Sequence, residues 1–173
     1  MKAKRSVAML AIAVSSLYAG QSVAQREAAV TVCMETDPYA IRGARPLVSA
    51  MFASIGVRID WHACNSYKAG ADIIQVRLSH DSRYMLNSNS EALGFAQPYQ
   101  GTVIVFIDRV QRLQRHGANR VMAHVLVHEI THIIQRIGRH SHTGIMKASW
   151  NDQDYFEMAS KPLSFGQEDV ALI

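Results

Sequence analysis

The sequence predicts an α/β domain: a mixed, twisted sheet with helices packed on it and an irregular C-terminal subdomain. Three observations carry this. A strand–helix–strand pattern fills about 30 residues from Ala28, the size of a βαβ unit with parallel strands and a right-handed crossover. The most β-rich run, Thr102–Ile107 (TVIVFI), leads towards a long helix of apolar period. No internal repeat, low-complexity tract or linker divides the chain.

Taken in order, Ala28–Met34 (AAVTVCM) reads as a buried strand. After Asp37, Pro38 and Gly43, the residues Leu47, Val48, Met51, Phe52 and Ile55 recur at helical spacing, and Gly56 stops that helix. Val57–Trp61 alternates as a second strand, and Ile73–Leu78 forms a third after a turn-like stretch through Asn65, Ser66 and Gly70. The polar segment His80–Glu91 reads as a surface loop. Glu91–Gln97, with Gly94 inside and Pro98 behind, suits an edge strand. In the long helix, Val121, Val125, Leu126, Ile130, Ile133, Ile134 and Ile137 mark the buried face, with Asn119 as N-cap and Gly138 as stop. Arg109, Arg112, Arg115, His116 and Arg120 cluster before that helix and read as a solvated face. Asp152 and Asp154 read as surface turn residues, and Ser164 with Gln167 fits a capping box.

The first 24 residues read as a signal peptide. Lys2, Lys4 and Arg5 form a basic start, Val7 to Leu17 an apolar run too short to span a bilayer, and Ser22-Val23-Ala24 a small-residue cleavage site. Residues 25–173 then form one domain, secreted or periplasmic, with no stable membrane insertion after cleavage. Cleavage removes three of the 18 Lys and Arg and none of the 14 Asp and Glu, which lowers the net charge from +4 to about +1. The basic balance is a targeting feature, and the expected partners exclude nucleic acid. Cys33 and Cys64 are the two cysteines. In an exported chain such a pair reads as one disulfide, closing a loop of roughly 30 residues, with two buried thiols as the alternative.

Chemistry concentrates in His128, Glu129 and His132, an H-E-x-x-H run inside the long helix. Residues four apart share a helix face, so both imidazoles can reach one metal ion. Glu129 is rotated by about 100° from His128, next to the ion's open side and outside the ligand set. A zinc hydrolase needs that division of labour, with a carboxylate free to take a proton from water. His124, one turn earlier, reads as a solvated or core-edge histidine, with a supporting role to the ligands as the alternative. Catalytic zinc takes three protein ligands, and the downstream candidates are His140, His142, Asp152, Asp154 and Glu157.

Here the chain resembles the metzincin metallopeptidases. H-E-x-x-H is followed by Gly138, by His140 with Ser141, and by Met146 in Gly144-Ile145-Met146. The usual metzincin spacing places the third histidine ten residues after the first; here His140 lies twelve after His128. The longer spacing resembles exported bacterial metzincin-like proteins carrying H-E-x-x-H-x7-H-S-x2-G-[IV]-M. The strand and helix order resembles the metzincin N-terminal half, and the ending from Pro162 resembles the matrixin close, where a Ser-started helix carries an acidic pair. The resemblance implies a metallopeptidase-like catalytic domain over 25–173, with Zn²⁺ on His128, His132 and His140. It implies Glu129 as general base and Met146 in the turn beneath the metal. His142 and Glu157 stay open as third ligands; Glu157 would imply the class completed by a glutamate on a later helix. A peptide or protein substrate would add to the edge strand near Gly94, Phe95 and Ala96, and the enzyme is expected to be a monomer. With no room for an inhibitory pro-segment between Ala24 and the first strand, restraint would come from substrate access, an inhibitor or export. Two other classes are a zinc-stabilised binding domain without catalysis and a metal-free interaction protein.

Overall fold

A computed structural model describes residues 28–36, 39–66, 72–80 and 91–173. The expected signal peptide, Asp37 with Pro38, Gly70, and all but the ends of the expected surface loop fall outside the described residues. The strands are β1 (Ala28–Met34), β2 (Val57–Ala63), β3 (Ile73–Ser79), β4 (Gly94–Gln97) and β5 (Thr102–Phe106). The helices are α1 (Tyr39–Ala53), α2 (Ile107–Arg112), α3 (Ala118–Gln135), α4 (Asp152–Ser160) and α5 (Gln167–Ala171). The sheet order is β2-β1-β3-β5-β4. β1 is parallel to β2 and to β3, and β3 to β5. Among the described residues only β4 runs antiparallel, paired to β5 at the sheet edge, as the Gly94 and Pro98 signals implied.

α1 begins at Tyr39, well before the residues that marked it in the sequence. Gly43 and Pro46 hide the start, yet Ile41, Ala44, Val48, Met51 and Phe52 form one buried stripe at helical spacing. α1 packs along α3, which runs through the interior: every residue from Val121 to Ile133 is buried. A helix buried on all sides must satisfy its polar side chains internally. That constraint falls on His124, His128, Glu129, Thr131 and His132, all 7% exposed or less.

The ends of α3 differ from expectation. The residue before it is Gly117 (φ 82°), while the Asn119 side chain lies against Gly43 of α1. The helix ends at Gln135, with Arg136 left-handed (φ 55°), so Gly138 is not its stop and Ile137 is 39% exposed. The run at 102–107 also splits: the strand stops at Phe106 and α2 starts at Ile107.

Asp152 and Asp154 are not turn residues. Asn151 caps α4 through Asp154: the Asp154 N–H donates to Asn151 Oδ1 (3.0 Å) and the Asn151 N–H to Asp154 Oδ2 (2.8 Å). In the last helix the cap falls two residues beyond Ser164. Gly166 donates its N–H to Asp169 Oδ2 at 3.2 Å, and Ser164 instead gives its carbonyl to the Ile145 N–H at 2.9 Å. Cys33 and Cys64 form the expected disulfide, joining β1 to the turn after β2 with Cα atoms 4.8 Å apart. Among the described residues no helix is long and apolar enough to cross a membrane.

Candidate metal centre

His128 and His132 project from one face of α3, and the chain beyond the helix returns His140 to them. Ring centroids are 4.7 Å apart for His128 and His132, 5.0 Å for His132 and His140, and 5.3 Å for His128 and His140. One nitrogen from each lies within 4.8 Å of the other two, close enough to hold a metal ion. His128 and His132 are buried and His140 is exposed, so the triangle opens on its His140 side.

Two backbone carbonyls decide how the rings are protonated. His128 Nδ1 is 2.8 Å from Ile145 O, and His132 Nδ1 is 2.8 Å from Ile137 O. A carbonyl oxygen only accepts, so each Nδ1 carries the proton and each Nε2 presents a lone pair. The two Nε2 atoms face each other at 3.1 Å. Two lone pairs at that distance repel unless a cation or a shared proton lies between them. Burial opposes the proton: it depresses His128 to about 3 against the help of the Ile145 carbonyl, and it lowers His132 and His140 as well. Neutral imidazoles at Zn–N distances of 2.0–2.1 Å in tetrahedral geometry would place their nitrogens about 3.3 Å apart. The donor set fits a metal ion.

Glu129 lies outside this triangle, as the helical rotation required. Burial pushes its carboxyl up to about 8, opposed by a hydrogen bond from the Ala96 N–H of β4. In the antiparallel alternation Leu93 spends its carbonyl on the Phe106 N–H (2.9 Å), which leaves Gly94 and Ala96 facing outward. The close approach of β4 to α3 needs a glycine. A Cβ on Gly94 would come 2.9 Å from Ile104 O, 3.2 Å from Val125 Cγ1 and 3.3 Å from Glu129 Cγ.

The segment that follows His140 is tied at both ends. Ser141 N–H donates to Met146 O at 2.7 Å, and Gly144 (φ 74°) makes the turn between them. A Cβ at Gly144 would meet Ser164 O at 2.3 Å, so no other residue fits there. Met146 is fully buried, and this turn carries the Ile145 carbonyl that orients His128.

His124 is not a ligand. Its Nδ1 donates to Arg120 O (2.7 Å) and its Nε2 accepts the Leu163 N–H (3.0 Å), so both nitrogens are occupied in fastening the C-terminal segment to α3. It is fully buried, deeper than the sequence reading placed it. His142 and Glu157 lie apart from the triangle, around a second hollow that they share with Lys161. Asp154 is bound to Lys147.

Sequence reasoning missed three parts of the site. The acceptors Ile137 O and Ile145 O carry no residue-type signal, since any residue supplies a carbonyl. Asp169, 1% exposed, accepts from Arg139 Nη2 (2.9 Å) and Ser141 Oγ (2.7 Å), the two neighbours of His140. The acidic pair in the C-terminal helix was the only hint of this anchor. Arg109 is also buried, against the reading of a solvated basic face. The residues border a cleft of about 670 Å³. One wall is β4 around Gly94–Ala96, another is Lys147–Trp150 with Tyr155, and the triad and Glu129 line it between them. Comparison with protein-family models, with curated proteins and with solved structures finds no match to this chain.

Proposed function

We propose that this chain is a zinc-dependent metallopeptidase of metzincin-like type, acting on peptide or protein substrates outside the cytoplasm. The observation that carries the metal is the 3.1 Å approach of two Nε2 atoms whose Nδ1 protons are committed to carbonyls. Three imidazoles suit zinc among the available divalent ions, though copper, iron and nickel share that preference. The disulfide is compatible with an oxidising compartment.

A zinc ion held by His128, His132 and His140 supplies Lewis acidity towards a carbonyl and makes nearby water more acidic. The protein's own groups then do the rest. Glu129, buried beside the triad, removes a proton from water in the cleft and delivers it to the departing amine. A raised pKa suits both halves of that transfer, since the carboxyl must accept and then release a proton near neutral pH. The outward N–H and carbonyl of Gly94 and the carbonyl of Ala96 line the cleft at a sheet edge that pairs with no further strand among the described residues, where an extended peptide can add as one. That fixes the scissile bond relative to Glu129, because the same strand donates to the Glu129 carboxyl.

The test is a peptide-library digest with zinc-loaded protein, alongside the Glu129→Gln variant. The expected result is one zinc per chain in both proteins, with turnover lower by about 100- to 10,000-fold in the variant. Stoichiometric zinc without cleavage of any peptide would favour a binding domain in which the metal serves folding. A lack of bound zinc would end both readings.

A further inference from the structure

Arg109 is the one buried cation of the cleft that has no carboxylate partner among the described residues. It is 6% exposed. The other cations bordering the cleft are engaged: Lys147 with Asp154, and Arg112 with Asp108 at 3.5 Å. Arg109 has one hydrogen bond among the described residues, from Nη1 to the Ala92 carbonyl. Its guanidinium lies over the Phe106 ring with the central carbon 4.5 Å from the centroid.

These contacts hold the group without using it up. An aromatic ring takes one face of a guanidinium, whereas its hydrogen bonds lie in the plane. Phe106 and Ala92 therefore orient the fork and leave donors in its plane for an occupant of the cleft. Burying an unpaired cation is costly, and a carboxylate held by two parallel N–H bonds is the partner that a guanidinium fits best. Fixed orientation lowers the entropy lost on binding.

We propose that Arg109 is a specificity residue that selects substrates carrying an acidic side chain. Ala92, whose carbonyl Arg109 holds, lies two residues before the Gly94 end of β4. A peptide lying along β4 and continuing past its Gly94 end would bring a carboxylate to Arg109, at the position that a Glu scan along the peptide identifies. The proposal rests on the peptidase reading for the direction of the peptide, but the recognition itself does not require catalysis.

The test uses acetylated, amidated hexa-alanine peptides with one Glu scanned through each position, each matched by the corresponding Gln peptide. Affinity is measured on zinc-loaded and on zinc-stripped protein, and cleavage on the zinc-loaded protein. The expected result is a preference for Glu over Gln of about 10- to 100-fold at one or two adjacent positions. It should persist after zinc is stripped, because Arg109 and not the metal carries it. In Arg109→Met the Glu-to-Gln ratio should collapse towards one, and Arg109→Lys should keep part of it. Near-ultraviolet circular dichroism identifies a variant that has not folded, and the lysine variant then carries the test. Equal binding of Glu and Gln peptides at every position overturns the proposal, as does a preference unchanged in both variants. Cleavage without acidic preference overturns this proposal alone; acidic preference without cleavage overturns the peptidase reading alone.

Discussion

Glu129 should weaken the metal-free fold as pH rises, and Glu129→Gln should remove that effect. The carboxyl is 7% exposed and its folded-state pKa stands at about 8, against 4.5 for the free group. A raised pKa means that the folded protein holds its proton more tightly than the unfolded chain. The stabilisation is therefore full below pH 4.5 and is lost between pH 4.5 and about 8. At 1.36 kcal/mol per pH unit, the span amounts to about 5 kcal/mol. His128 acts in the opposite direction. Its pKa falls from 6.5 to about 3, so its contribution is present above pH 6.5 and lost as pH falls through about 3. That term is common to wild type and variant and cancels in their difference. The assay is urea unfolding of zinc-stripped protein with the disulfide intact, at intervals from pH 4 to pH 9. The two proteins should be similarly stable at pH 4, and the Gln variant should be ahead by about 5 kcal/mol at pH 9. A difference that stays flat across this range would show that the Glu129 carboxylate is solvated or paired, and the account of its burial would be wrong.

Three further outcomes are expected. His140→Ala should lower zinc affinity by at least about 100-fold in a chelator competition, whereas His142→Ala, away from the triangle, should leave it within about threefold. Asp169→Asn should weaken the hold on Arg139 and Ser141 and lower zinc affinity by about 10- to 100-fold; far-ultraviolet circular dichroism should show the fold retained. Replacing Cys33 and Cys64 together by alanine reopens a loop of 31-residue separation and should cost about 3–4 kcal/mol in denaturant unfolding.

Much of the fold was legible because its signals are local. Alternation in Val57–Trp61, the β-rich run at Thr102 and the apolar period of α3 each report on neighbours two to four residues away. The places where the reading slipped are those where a distant contact overrides such a signal. Gly138 has the composition of a helix stop, but α3 ends at Gln135 and Ile137 O swings back to His132 Nδ1. Arg109 sits in a basic run that looks solvated, yet Phe106 and Ala92 enclose it. Asp152 and Asp154 look like turn residues until Asn151 is seen to cap, with Asp154, a helix that Asp152 begins.

The sequence alone determined the sheet's edge strand, the cysteine pair, and the placing of His128, Glu129 and His132, since helical spacing dictates which side chains share a face. Only the tertiary structure decided which later group completes the triangle and which tautomer the rings adopt. His140 reaches its partners through a segment anchored by Asp169, 28 residues beyond Ser141, and His128 takes its tautomer from a carbonyl 17 residues away. Contacts of that separation leave no period in the sequence. They exist because α3, with polar side chains buried along its length, must find a partner for each of them in whatever chain packs against it.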